Sequence, residues 1–429
     1  EPSEGFSNLL SVLLTSVLVM LGAEAITAAK ILAAVFGYTA VIGIYFVGRL
    51  LLPRHAALLP LLVASCFPLA LWSAGGLETS LMATVVVAWM GGAALLLGDV
   101  RPRAGLWLLG LSSLLAPVTR PEGLVLVGVY IALLYYWART RRIRFPWAGP
   151  VVVVAVLCVL EALRLSHFGR PLALPFYVKV DVGNATRVIS GLGYLHRFIW
   201  RCLGGALGYL AIIYAVCRSW PDRACRETVG VGLLAAAPWL LFVIVSGADW
   251  MPQWRFLVPI IAPGTVLVIG LGSTIAQALS THSNTSRLFV AGLTAAVLIG
   301  NIYGAFVAFT SNPWHSTRSD KIGFHIEATR LLLEQGEWLK RHGGPALLIA
   351  AEDVGAVGYV SDARIIDLHG LTSPAVAGQE KSVVTDMVLA ARPDYIQAYS
   401  HPLVNSPTFS ELYEPVPDVP WHMYRLRQR

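Results

Sequence analysis

Asp249 and Arg255 stand six positions apart in "GADWMPQWRF", with Trp250 and Trp254 between them. Carboxylates accept hydrogen bonds from sugar hydroxyls, aromatic faces pack on sugar rings, and a guanidinium grips phosphate with a planar fork. The stretch therefore has the makings of a sugar or sugar-phosphate site. A local ion pair beside tryptophans of a membrane-interface belt is the plainer account. Three other stretches raise the same question. "WSAGGLETSL" places Glu78 after a Gly75-Gly76 turn, at the start of an apolar run. An acid there is favoured by the helix dipole, and an ionisable group at membrane depth is also a default functional candidate. "TRPEG" sets Arg120 before Pro121 and Glu122; proline and an acid in the first turn are ordinary capping chemistry, but the arginine suits a phosphate. "FGRPLALPFYVKV" holds Lys179 as a lone cation, either a phosphate contact or a lysine reaching to the interface. Near the C-terminus, Asp353 and Asp367 fall at the ends of expected strands.

Long apolar helices must position these groups. The chain has 429 residues, of which 56% are hydrophobic and 13% charged. A soluble domain carries about 25% charged residues, so this composition is that of an integral membrane protein. A spanning helix needs about 20 apolar residues, and the sequence predicts spans near 26–50, 56–72, 76–98, 104–118, 122–138, 146–165, 203–217, 227–246, 256–277 and 288–310. The shorter run 9–22 reads as a helix at the membrane surface. One set of loops carries Arg49 and Arg54, Arg101 and Arg103, Arg139 to Arg144, Arg218 to Arg226, and Arg287. By the positive-inside rule these are cytoplasmic. The other loops, which hold every cluster above, then face outward. The formal charge of +7 belongs to this loop pattern rather than to nucleic-acid binding. Cys66, Cys158, Cys202, Cys217 and Cys225 show no paired spacing, which argues against a disulfide framework or a zinc site.

After residue 310 the pattern changes. "GFHIEATRLLLEQGEWLKRH" has helical spacing, "PALLIAAED" and "ARIIDLHG" read as buried strands, "VVTDMVLAARPDYIQAY" as helix then strand, and "WHMYRLR" as an edge strand. The expected organisation is a loop end with an interfacial helix (1–25), a transmembrane domain of about ten helices (26–310) and an extracytoplasmic α/β domain (313–429).

"EGFSN", "WSAGGLETSL", "TRPEG", "FGRPLALPFYVKV", "GADWMPQWRFLVP" and "DVGAVGYVSDARIIDLHGLTS", in that order, resemble the bacterial GT-C membrane glycosyltransferases related to the mycobacterial terminal arabinofuranosyltransferase. The resemblance implies a multi-pass helical GT-C fold in the bacterial plasma membrane with its active face outside. It implies an inverting enzyme that moves a monosaccharide, with arabinofuranose a candidate, from a polyprenyl phosphate to an envelope glycan or glycolipid. In such enzymes an acidic pair in the first outward loop supplies the base. "EGFSN" resembles the end of that loop, so the chain is expected to lack the first span and to have its acids before Glu1. Carried onto this sequence, the resemblance makes Arg120, Lys179 and Arg255 donor-phosphate candidates and Glu78 and Asp249 supporting groups. Glu4, Asn8, Glu122, Trp250 and Trp254 would line the substrate. It implies no nucleotide site and admits a divalent metal, for which the sequence shows no ligand cluster. "PLALPFY" lacks the polar residue, commonly Asn, that precedes the "FYxK" element in relatives. A lipid-linked-sugar transporter and a non-catalytic envelope scaffold are the competing classes.

Overall fold

A computed structural model describes residues 3–179, 185–209, 223–249, 251–279, 283–310, 322–344, 346–417, 419 and 422–427. It falls into two units. One is helical and comprises residues 8–161 and 182–310; the other comprises 1–7, 162–181 and 311–429.

Among the described residues, seven helices of the chain are long and apolar enough to cross a membrane. Ala25–Leu51, Thr79–Leu97 and Arg223–Ser246 belong to the helical unit. Thr79–Leu97 is deeply enclosed, with sixteen buried residues among nineteen. Two of its polar side chains bond to a neighbouring helix: Ser80 Oγ donates to the Ala33 carbonyl at 2.7 Å and Thr84 Oγ1 to that of Phe36 at 2.6 Å. Against Pro102–Thr119 it packs backbone on backbone. A Cβ on Gly92 would stand 2.7 Å from the Leu109 nitrogen, and one on Gly105 would stand 2.9 Å from that of Leu96. Small residues at such crossings are how helices associate where lipid removes the hydrophobic drive.

The stretch read as one span over 56–72 is two short helices, Leu58–Ser65 and Phe67–Ala74, broken at Cys66. Pro68 explains the break, because it has no N–H for the Ala64 carbonyl one turn back and its ring would clash with that carbonyl in a continuous helix, whereas proline is tolerated in the first turn of a new one. The run 9–22 is the helix Leu9–Met20. Between the spans expected at 146–165 and 203–217 lie the helices Leu174–Lys179 and Ala185–Cys202. Much of 203–217 lies outside the described residues.

The second unit holds a five-stranded sheet of order β2-β1-β3-β5-β4: β1 Leu348–Ala351, β2 Arg364–Asp367, β3 Tyr395–Gln397, β4 Tyr413–Pro415 and β5 Met423–Leu426. β2 and β3 run parallel to β1 on its two sides, while β5 is antiparallel to both β3 and β4. "WHMYRLR" is therefore an inner strand. Tyr413–Pro415, too short to show a period in sequence, takes the edge. β1 is apolar throughout because both faces are covered. Ile349 and Ala351 pack with Leu339 and Val357, and Ala350 packs with Val384, Val388 and Phe409. Residues 1–7 and the "FGRP" stretch belong to this unit. Leu174 N–H donates to the Glu4 carbonyl at 3.1 Å, Arg170 Nη2 donates to that of Pro374 at 3.2 Å, and Gly5 is seated against Thr372.

Candidate functional site, a buried ion cluster at the helix ends

The helical unit gathers five charged side chains from three separate turns. Arg120 leaves the end of Pro102–Thr119 in extended conformation and enters a single 3-10 turn, Pro121–Gly123. Gly123 permits that turn, since a Cβ there would meet the Ala116 carbonyl carbon at 2.4 Å. The Arg120 guanidinium then reaches Glu122 Oε1 at 2.5 Å and Glu78 Oε1 at 3.2 Å, and all three side chains are at least 88% buried. Glu78 makes no capping bond to its own helix. Its other oxygen accepts from Asn8 Nδ2 at 3.1 Å. The dipole account read from the sequence thus misses what the carboxylate holds.

Asp249, with a side chain only 1% exposed, takes Arg255 as a bidentate partner through Nε at 2.8 Å and Nη2 at 3.1 Å. It also accepts the Met251 N–H at 3.3 Å. Gln253 and Trp254 both have left-handed backbones, with φ of 55° and 50°. Such conformations cost free energy for non-glycine residues and persist where the surroundings enforce them, often at functional sites. Here the Trp72 indole fixes the Gln253 carbonyl at 3.2 Å. The two arginines share one aromatic neighbour: the Arg120 and Arg255 guanidinium carbons lie 5.2 Å and 5.0 Å from the Phe256 ring centre. Arg201 sits 5.4 Å from the Trp254 ring.

Tyr194 joins this cluster and was not singled out in sequence. It lies on the helix Ala185–Cys202, is 5% exposed, and is within electrostatic reach of Asp249, Arg255 and Arg120. The signal was present in the amphipathic spacing of "ATRVISGLGYLHRFIWRC". Gly191, one turn earlier, lets the helix touch Arg223–Ser246; a Cβ there would lie 2.1 Å from the Val243 carbonyl oxygen. Gly191→Val is expected to cost about 1–3 kcal/mol by overpacking and to lift Tyr194 from the ions. Thermal unfolding, with Ser190→Val as the neighbouring control, measures the cost.

The structure thus brings together Asn8, Glu78, Arg120, Glu122, Asp249, Trp254 and Arg255. Glu4 belongs to the other unit, where it pairs with Arg164 at 2.9 Å. Lys179 ends a helix of that unit and its side chain is outside the described residues, as is Trp250. Asp367 closes a loop: its oxygens accept from the amides of His369, Gly370 and Thr372 at 2.8–3.2 Å and from the Thr372 hydroxyl. Asp353 begins the helix Val354–Ser361 without a capping bond. Among the described residues no three His, Cys, Asp or Glu side chains are arranged to hold a metal ion.

Beside Asp353, the sequence reading passed over Glu352. It is buried and accepts from the amides of Tyr399 and Ser400 at 2.7 and 3.0 Å and from the Ser400 hydroxyl. Burial pushes its pKa up, but these donors outweigh burial and hold the carboxyl below the usual value. Burial also lowers the His401 pKa and raises that of Asp353. A depressed acid stabilises the fold above its unfolded pKa of about 4.3, and that contribution is lost as pH falls through the folded value. A buried neutral histidine likewise loses stabilisation below about pH 6.5, where the unfolded chain takes up the proton. Asp353 acts in the opposite sense. The α/β unit is therefore expected to weaken on acidification. Glu352→Gln should abolish the limb below about pH 4.3 and cost about 1–3 kcal/mol at neutral pH. Hydrogen exchange of β1 and β3, corrected for intrinsic rates, reads both effects.

Comparison with known proteins agrees with this architecture. A family model described as a domain of unknown function (DUF8728) matches residues 323–428, which is the α/β region. No curated protein matches. Among solved structures, the crystal structure of the Archaeoglobus fulgidus oligosaccharyltransferase, tethered to an acceptor peptide containing the NVT sequon, superposes with a TM-score of 0.53 at 12% identity. The match covers 98% of this chain and 66% of that one. The chain is a multi-pass helical membrane protein of GT-C-like fold with a small α/β sheet region.

Proposed function

We propose that this protein is a membrane glycosyltransferase that takes a monosaccharide from a polyprenyl-phosphate donor. It passes the sugar to an envelope glycan on the outer face of a bacterial plasma membrane, and arabinofuranose is the sugar suggested by the sequence motifs. The observation that carries this reading is the five-charge cluster buried at the ends of apolar helices in a GT-C-like fold. Burying charges is costly, and ionisable groups at membrane depth mark functional sites. In this reading Arg255 faces the donor phosphate. Arg120, its fork taken by two carboxylates, orients Glu78 and Glu122 toward sugar hydroxyls. Asp249 holds the Arg255 plane, and Trp254 borders the sugar. An acceptor hydroxyl oxygen bonds to the anomeric carbon as the carbon–oxygen bond to phosphate breaks. The bonding pair leaves with the polyprenyl phosphate, and the hydroxyl proton passes to a base.

The test is transfer from labelled polyprenyl-phosphate sugars in proteoliposomes. Glu78→Gln should lower turnover about 100-fold while leaving the melting temperature close to wild type. The break at Cys66 favours one other reading, because interrupted helices are typical of transporters. A wild-type protein that moves the donor across the bilayer without transferring its sugar would replace the enzyme reading with a flippase.

A further inference from the structure

At the end of the helical unit that carries the arginine-rich loops, a cavity of about 650 Å³ opens between Thr79–Leu97, Leu124–Arg141 and Arg223–Ser246. Its body is apolar, walled by Leu97, Val129, Leu133, Tyr136, Trp137 and Leu234, and Arg141, Arg226 and Glu227 stand at its mouth. Trp137 is 8% exposed, and its indole N–H, a donor only, is buried without an acceptor. A Cβ on Gly230 would meet nothing within 4 Å, so the missing side chain leaves this space open.

We infer that this cavity binds a phospholipid of the surrounding bilayer with an anionic headgroup, its acyl chain lying in the apolar body and its phosphate between Arg141 and Arg226. Size and polarity match a lipid site, since ligand pockets run about 300–1,000 Å³ with apolar walls and few polar groups. The charges at the mouth fit a phosphodiester. Arg226 is exposed and has no ion-pair partner among the described residues. Arg141 pairs with Asp99 at 2.8 Å, but the two side chains are 31% and 48% exposed. Such a pair is weak, and its guanidinium can turn to a phosphate at little cost. Glu227 opposes the headgroup, while Arg139 and Arg142 of the same loop add to the attraction. Basic pockets between spanning helices are known sites for acidic headgroups.

Native mass spectrometry of the full chain in detergent, titrated with phosphatidylglycerol, phosphatidylcholine of the same acyl chains, or undecaprenyl phosphate, tests the assignment. Phosphatidylglycerol should be retained over phosphatidylcholine by about 5-fold for each arginine engaged. The double variant Arg141→Gln/Arg226→Gln should erase the preference. Gly230→Leu, which fills the cavity and raises helix propensity, should release both phospholipids without lowering the melting temperature. Equal retention of the two phospholipids overturns the inference. So does undiminished phosphatidylglycerol binding by Gly230→Leu, or displacement of phosphatidylglycerol by an equal concentration of undecaprenyl phosphate.

Discussion

Arg255→Met is expected to destabilise the helical unit by about 3–5 kcal/mol, because it strands a buried carboxylate. Asp249 is 1% exposed and spends both oxygens on this guanidinium. Without the guanidinium, only the long Met251 amide contact at 3.3 Å remains for it in this turn. The arginine also stacks on Phe256, so its loss removes a packing surface together with the charge. The double variant Asp249→Leu/Arg255→Met should recover most of the stability, since replacing a buried ion pair with apolar side chains is often neutral or better. Sugar transfer should not recover in the double variant if Arg255 faces the donor. Thermal unfolding and transfer, measured on the same three variants, separate the two roles: folding follows whether the pair is balanced, and transfer follows whether the arginine is present. Full transfer by the double variant would assign the pair to structure alone.

Arg120→Met should be at least as damaging. It leaves two carboxylates, Glu78 and Glu122, buried and facing each other with no cation between them. The expected loss is again about 3–5 kcal/mol, and like-charge repulsion adds to it. Glu122→Gln should be milder, because the amide oxygen can still accept from Arg120 and only charge is lost. Combining Arg120→Met with Glu78→Gln and Glu122→Gln should restore folding in part, since neutral amides at this spacing can bond to one another. Urea unfolding in mixed micelles, followed by intrinsic fluorescence, ranks the three. A stable Arg120→Met single variant would mean that the turn at Pro121–Gly123 relaxes and lets water reach the acids, contrary to the burial seen here.

Some of this architecture is legible in the sequence because it depends on composition and period alone. Apolar runs near 26–50, 76–98 and 227–246 became Ala25–Leu51, Thr79–Leu97 and Arg223–Ser246. The strands in "PALLIAAED" and "ARIIDLHG" and the helix and strand in "VVTDMVLAARPDYIQAY" form as β1, β2, Lys381–Ala391 and β3. Local chemistry also marked Glu78, Arg120, Asp249 and Arg255 as unusual, since charges at the ends of apolar helices stand out against so few others. It missed the break at Cys66, where one proline overrides a uniformly apolar run. It missed Ala185–Cys202 as well, whose mixed composition reads as loop unless tested for helical period.

By itself the sequence determined that the chain lives in a membrane, where its long apolar helices run, and which rare charges need an explanation. Burial of apolar surface and the length of a helix across a bilayer are properties of contiguous residues, so one dimension suffices. Tertiary structure alone decided which charges meet. Glu78 and Arg120 are 42 positions apart, and Asn8 is 70 positions from Glu78. Their pairing rests on backbone approaches at Gly92, Gly105 and Gly123 that no local pattern encodes. The same holds for Glu4, which a motif grouped with the cluster and the fold gives to Arg164, 160 positions on. A charge takes as its partner whatever counter-charge the packing of helices brings within reach, and that packing is fixed by side-chain volumes at every crossing at once.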